Sequence, residues 1–158
     1  FRPQDAAYEA KEIVVEDNEF FRGSCAVAFV GVDGAVVRHN TIYRPGRWAF
    51  RILQETVADR FVPCRDGEVS KNVIVFRSDE LREAINVGGN TAPETFKFAA
   101  NRWCCLDRPE STPRLVRLPS EETGASYDLE PKLSDPENGD LSIPGRSPED
   151  AGVRLSSR

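Results

Sequence analysis

The stretch CAVAFVGVDGAVVRHNTIY, residues 25–43, decides the first reading of the fold. Its first half, 25–32, is apolar on both faces, as a central strand requires. Asp33-Gly34 follows, and a second apolar run, 35–43, comes directly after it. Two apolar runs joined by Asp-Gly predict a hairpin. A two-residue turn pairs Val32 with Ala35, Val30 with Val37 and Ala28 with His39. His39 then shares a face with Val37, Thr41 and Tyr43, and Arg38 shares the other with Asn40.

Working outward, Asp5 can cap a short helix to Lys11, and residues 13–15 read as a strand. The turn Arg44-Pro45-Gly46-Arg47 ends the hairpin. Apolar residues at 49, 52, 53, 57 and 61 make a helical stripe. KNVIVFR, residues 71–77, reads as a strand. Ser78-Asp79-Glu80 starts a helix that Gly88-Gly89 stops. Thr91 to Glu94 matches a capping box ahead of a helix bearing Phe96, Ala99, Ala100 and Trp103. RLVRL, 114–118, reads as a last strand. No internal repeat is read. The predicted fold is α+β: a single domain with an antiparallel sheet and helices packed on one side.

The chain has 158 residues, with 21 Lys and Arg against 26 Asp and Glu, a net charge of −5. That length suits one domain over residues 1–118. Residues 119–158 carry nine acids against four bases, and hence the whole net charge, with five of the eleven prolines. They read as an acidic, Pro-rich tail or strap, anchored by Tyr127, Leu129, Leu133 and Leu141. The acidic balance disfavours nucleic acid or anionic membrane as a partner held by bulk charge. No apolar run reaches 18 residues, so no membrane-spanning helix is expected.

The chain starts at Phe1 and has no Met, which reads as a removed signal peptide. Cys25, Cys64, Cys104 and Cys105 fit no zinc spacing. A bridge between neighbours 104 and 105 closes a strained ring, so Cys25 and Cys64 are each expected to bond one of that pair. These features point to a secreted, extracellular, disulfide-bonded protein.

Residues 36–65 hold six arginines against Glu55 and Asp59. Arg38, Arg44, Arg47 and Arg51, with Tyr43 and Trp48, form the candidate binding surface, since Arg and exposed aromatics mark such surfaces. The tail is expected to dock over Arg44, Arg47 and Arg51. His39 is the only imidazole; with Arg38 and Glu55 it makes the alternative, a small phosphodiester-cleaving hydrolase. A third reading is an inhibitor of a secreted enzyme presenting loop 62–70 or 106–113. Gly88-Gly89-Asn90-Thr91 offers backbone amides to an anion but lacks the Walker pattern and the dinucleotide fingerprint, and neither cofactor nor metal is expected.

Phe1 without Met, the four cysteines and the absence of a catalytic signature resemble the small secreted effector-type proteins of plant-pathogenic fungi. The resemblance implies a non-enzymatic virulence role, binding and interfering with a host or partner protein. Asp140-Leu141-Ser142-Ile143-Pro144 resembles the short repression motif that recruits Groucho/TOPLESS-type corepressors, with Ser142 in the Asn position.

Overall fold

The computed structural model describes residues 7–127, 130–145, 147 and 150–154. Short strands alternate with sharp corners. In chain order they are β1 (Ala10–Lys11), β2 (Val14–Glu16), β3 (Glu19–Phe21), β4 (Cys25–Val30), β5 (Val32–Asp33), β6 (Val36–Arg38) and β7 (Thr41–Tyr43). There follow β8 (Trp48–Leu53), β9 (Glu68–Ser70), β10 (Val73–Phe76), β11 (Glu83–Val87), β12 (Lys97–Ala99), β13 (Arg102–Cys105) and β14 (Glu122–Thr123). The one α-helix among the described residues is α1 (Thr112–Leu115).

Four separate sheets form, and every ladder in them is parallel. Sheet I stacks β2-β6-β9-β12-β14, sheet II β3-β7-β10-β13, sheet III β4-β8-β11 and sheet IV β1-β5. The chain visits sheets I, II and III in turn, in the first coil also sheet IV, and then returns to sheet I one layer on. The fold is therefore a parallel β-helix, in which each coil is hydrogen-bonded to the next.

This corrects the antiparallel sheet and its flanking helices. Gly34 does turn with φ +75°, but the runs on either side of it pair elsewhere: β4 with β8, β5 with β1 and β6 with β2. The corner at Gly31, φ +56°, has already turned the chain between β4 and β5. The expected helix from Trp48 is β8 followed by irregular chain. The helix expected after Ser78 is a turn and β11, and the helix after Thr91 is a short 3-10 turn (Pro93–Thr95) with β12 and β13. Parallel ladders supply these segments with backbone partners, on both sides for β8 and β12 and on one side for β11 and β13, which outweighs the helical spacing. Residues 114–118, expected as a strand, hold the end of α1. Of the helix expected from Asp5 to Lys11, residues 5 and 6 lie outside the described residues, and the rest is irregular chain leading into β1.

Inward side chains of all four sheets make one core, including Val37, Ile42, Phe50, Ile52, Val69, Ile74, Phe76, Phe96 and Trp103. Phe29 meets Phe96 edge-on at 5.1 Å, and Phe50 meets Trp103 at 6.4 Å. A second apolar cluster lies on the outer face of sheet II, where Leu141 and Ile143 of the tail cover Tyr43, Val73, Val75 and Cys104. The tail is thus a strap along sheet II.

All four cysteines are free thiols, which overturns the expected disulfides. Neighbours on β13 alternate in direction: Cys105 enters the core and Cys104 faces the strap. Cys64 is in the core, and Cys25 is half-buried at the start of β4. Burial pushes the thiols up, Cys104 to about 11, and Cys25, Cys64 and Cys105 in the same direction. Reduction is expected to leave the intact mass unchanged. A thiol reagent should label Cys25 first in the native protein, and all four on denaturation. A mass gain on reduction would reinstate the bridges.

Candidate functional site

One corner repeats through the molecule. Between sheets I and II the chain turns at Asp17, His39, Lys71 and Ala100, each with φ between 52° and 57°. The residue after each is asparagine: Asn18, Asn40, Asn72 and Asn101. Asn18 donates from its backbone N and its Nδ2 to Asn40 Oδ1, both at 3.0 Å. Asn40 does the same to Asn72 Oδ1 at 3.0 and 2.9 Å, and Asn72 to Asn101 Oδ1 at 3.0 and 2.9 Å. Asn101 donates to Glu122 Oε1 at 3.0 and 2.7 Å, and Trp103 Nε1 donates to Glu122 Oε2 at 2.9 Å. The carboxylate ends the ladder. Burial raises the Glu122 pKa, and the bonds from Asn101 and Trp103 oppose that shift.

His39 therefore owes its place to this corner. Left-handed backbone is costly for a residue with a Cβ, and the next residue's amide ladder holds it there. The imidazole is 6% exposed, and its Nδ1 has no hydrogen-bond partner among the described residues. Burial, Arg154 and Lys71 lower its pKa. Over it runs the end of the strap. Gly152 N donates to Lys71 O at 2.7 Å, Val153 N to Thr41 Oγ1 at 3.0 Å, and Arg154 Nε to Asp17 Oδ1 at 2.9 Å. The Arg154 guanidinium holds the Asp17 carboxyl below its ordinary range.

Both shifts make the strap sensitive to acid. A histidine whose folded pKa is depressed stabilises the fold above about pH 6.5, and that stability is lost as pH falls through the depressed value. For Asp17 the corresponding loss begins below 3.8. Hydrogen exchange at the Gly152 and Val153 amides, corrected for intrinsic rate, is expected to accelerate in both windows. His39→Asn, which accepts the left-handed corner, should remove the upper one.

The arginines expected to form one surface are divided among corners and faces. Arg38 bonds Glu16 at 2.8 Å at the end of β6. Arg44 pairs with Glu80 and reaches Glu137 of the strap at 3.4 Å, while Tyr43 donates to the same Glu137 at 2.6 Å. The carboxylates hold Arg44 firmly protonated. Of the three arginines expected under the tail, Arg44 is the one that meets its described residues. Glu55 is exposed in the chain after β8, away from the sheet I–II corner that carries His39, so Arg38, His39 and Glu55 do not come together.

Arg47, Trp48 and Arg51 do come together, on the outer side of sheet III. Ala49 and Phe50 are both fully buried, so β8 turns over between Trp48 and Arg51 and leaves both outside. The Arg47 and Arg51 guanidiniums lie over the Trp48 ring at 4.6 and 4.3 Å. Register sets Glu83 beside Trp48 and Asn86 beside Arg51. Trp48 Nε1 donates to Glu83 Oε1 at 3.1 Å, Asn86 Nδ2 to the same oxygen at 2.8 Å, and Arg51 Nε to Asn86 Oδ1 at 3.0 Å. Sequence reasoning missed Glu83 and Asn86, which parallel pairing alone brings to Trp48.

Among the described residues no group of three or more His, Cys, Asp or Glu could hold a metal ion. No helix there is long and apolar enough to cross a membrane. Leu141 and Ile143 of the corepressor-like motif are buried against sheet II. Loop 62–70 is partly built into the coil, with Arg65 bridged to Asp33, and 106–113 contains a 3-10 turn and the start of α1. No family model, no curated protein and no solved structure matches this chain.

Proposed function

We propose that this chain is a non-enzymatic interaction protein that takes an acidic segment of a partner protein on the outer face of sheet III. The observation that carries the reading is the pair of guanidiniums stacked on Trp48 with no carboxylate partner among the described residues. Stacking orients each guanidinium and leaves N–H groups for a carboxylate, the geometry in which arginine exceeds lysine. Glu83 and Asn86 buttress the ring and Arg51 Nε from one side. A net charge of −5 opposes a long polyphosphate and leaves a short acidic peptide as the better fit. The reading keeps the effector-like role of binding a host or partner macromolecule outside the producing cell, without disulfides to stabilise the fold.

An octaglutamate peptide is the probe, followed by tryptophan fluorescence, since Trp103 is fully buried and Trp48 is not. Saturable binding is expected at low salt, weakening as salt rises. The double variant Arg47→Glu/Arg51→Glu should bind roughly tenfold more weakly or worse. Equal binding by this variant, or none by wild type, removes the reading. Tighter binding of a single-stranded oligonucleotide than of the peptide transfers the site to nucleic acid.

A further inference from the structure

The two ends of the asparagine ladder differ. At the C-terminal end Glu122 closes it. At the other end Asn18 is exposed, and its Oδ1 accepts nothing from the described residues, whereas the Oδ1 of Asn40, Asn72 and Asn101 each accept two N–H groups from the preceding asparagine. A second vacancy accompanies the first. Asn40, Asn72 and Asn101 donate from Nδ2 to the carbonyls of Val15, Val37 and Val69, each three residues before the previous asparagine. Among the described residues Asn18 has no such carbonyl, and in its place Nδ2 makes a local bond to Glu16 O at 2.9 Å.

The same end is apolar. Among the described residues β2, β3 and β4 each pair on one side only. Ile13, Val14 and Phe21 are among the exposed large hydrophobics, at 45%, 54% and 42%. Behind them Ala10, Val15, Phe20, Ala26 and Val27, the first core layer, are only partly buried. Solenoids ordinarily close such ends with a polar cap, and an open strand edge is a template for another strand.

We propose that this end is an interaction surface that captures an extended segment of a partner polypeptide as an added parallel coil, with an asparagine in register above Asn18. The partner's asparagine gives its backbone N–H and Nδ2 to Asn18 Oδ1. Asn18 Nδ2 gives its proton to the carbonyl three residues before that asparagine. Apolar residues flanking it cover Val15 and Phe20. A second copy stacked head to tail does not fit, because it would set the Glu122 carboxylate, which has no N–H to give, against the Asn18 amide oxygen. The mode is strand addition, with main-chain bonds for affinity and one side-chain position for specificity.

The probe is a labelled peptide VVRHNTIY, which copies residues 36–43, the coil that already pairs with β2 and β3 on their other side. Saturable binding to the full chain is expected by fluorescence anisotropy. The peptide with aspartate for its asparagine should bind roughly tenfold more weakly or worse, since it offers an acceptor where a donor is needed. Val14→Lys, at an exposed position that leaves the core intact, should weaken binding of the parent peptide by a similar factor. The Arg47→Glu/Arg51→Glu variant should bind the parent peptide as wild type does, which separates this surface from sheet III. Absence of saturable binding, indifference to the peptide's asparagine, or indifference to Val14→Lys overturns the proposal.

Discussion

Asn72→Ala is expected to destabilise the protein by about 4 kcal/mol, measured as a fall in the midpoint of denaturant unfolding. Asn72 is fully buried in the middle of the ladder. Its Oδ1 is the acceptor for both Asn40 N and Asn40 Nδ2, and its Nδ2 supplies Val37 O and Asn101 Oδ1. Alanine strands the buried Asn40 N–H, removes the donor from Val37 O and leaves a cavity, each a recognised source of large losses. Asn72→Asp should be worse, because a fully buried carboxylate then faces two carbonyl oxygens. Asn18→Ala is the internal control. Asn18 is exposed, and Asn40 Oδ1 would keep its bond from the residue 18 backbone, so the cost should be about 1 kcal/mol or less. Equal losses at positions 18 and 72 would show that the ladder is not what holds the coils in register.

Gly67→Ala should cost about 3 kcal/mol, for steric rather than polar reasons. A Cβ at position 67 would lie 2.1 Å from Phe96 Cε1 and 2.5 Å from Cδ1. The Phe96 ring is 1% exposed and rests edge-on against Phe29, so it has nowhere to retreat. The backbones cannot part cheaply either, because Lys97 N donates to Gly67 O at 2.9 Å in the link to the next coil. The companion variant Gly67→Ala/Phe96→Leu should recover part of the loss, which thermal or denaturant unfolding would read directly. No recovery would place the strain in the backbone.

Several strands were legible in the sequence, but their partners were not. Residues 13–15 and 71–77 were read as strands and contain most of β2 and all of β10. The Asp33-Gly34 signal correctly marked a turn. It misled about pairing because a turn constrains four residues, while pairing depends on what lies 22 to 32 residues away. The repeat was present in NEFF, NTIY, NVIV and NRWC, which begin at 18, 40, 72 and 101. Unequal spacing hid it, since the connections between sheets III and I differ in length and carry no fixed residues. The helical stripes at 49–61 and 96–103 were real spacings, overridden by parallel pairing of β8, β12 and β13 with neighbouring coils. Of the candidate site, Arg47, Trp48 and Arg51 were legible because they lie within five residues of one another. Glu83 and Asn86, 35 residues from their partners, required the register.

The strap along sheet II has a consequence for how the molecule comes apart. A stack in which each coil touches only its neighbours is a one-dimensional assembly and can fray inward from either end. Most of its pairings join segments a few tens of residues apart, in adjacent coils. Arg154 is different: it binds Asp17 across 137 positions, and Val153 reaches Thr41 across 112. These contacts form after the coils are stacked and tie the last described segment to the first coil. Unzipping from the amino-terminal end must therefore break the clasp before it can begin. The clasp converts a graded loss of coils into a single transition, and a chain shortened before residue 130 should unfold over a broader range of denaturant than the full chain.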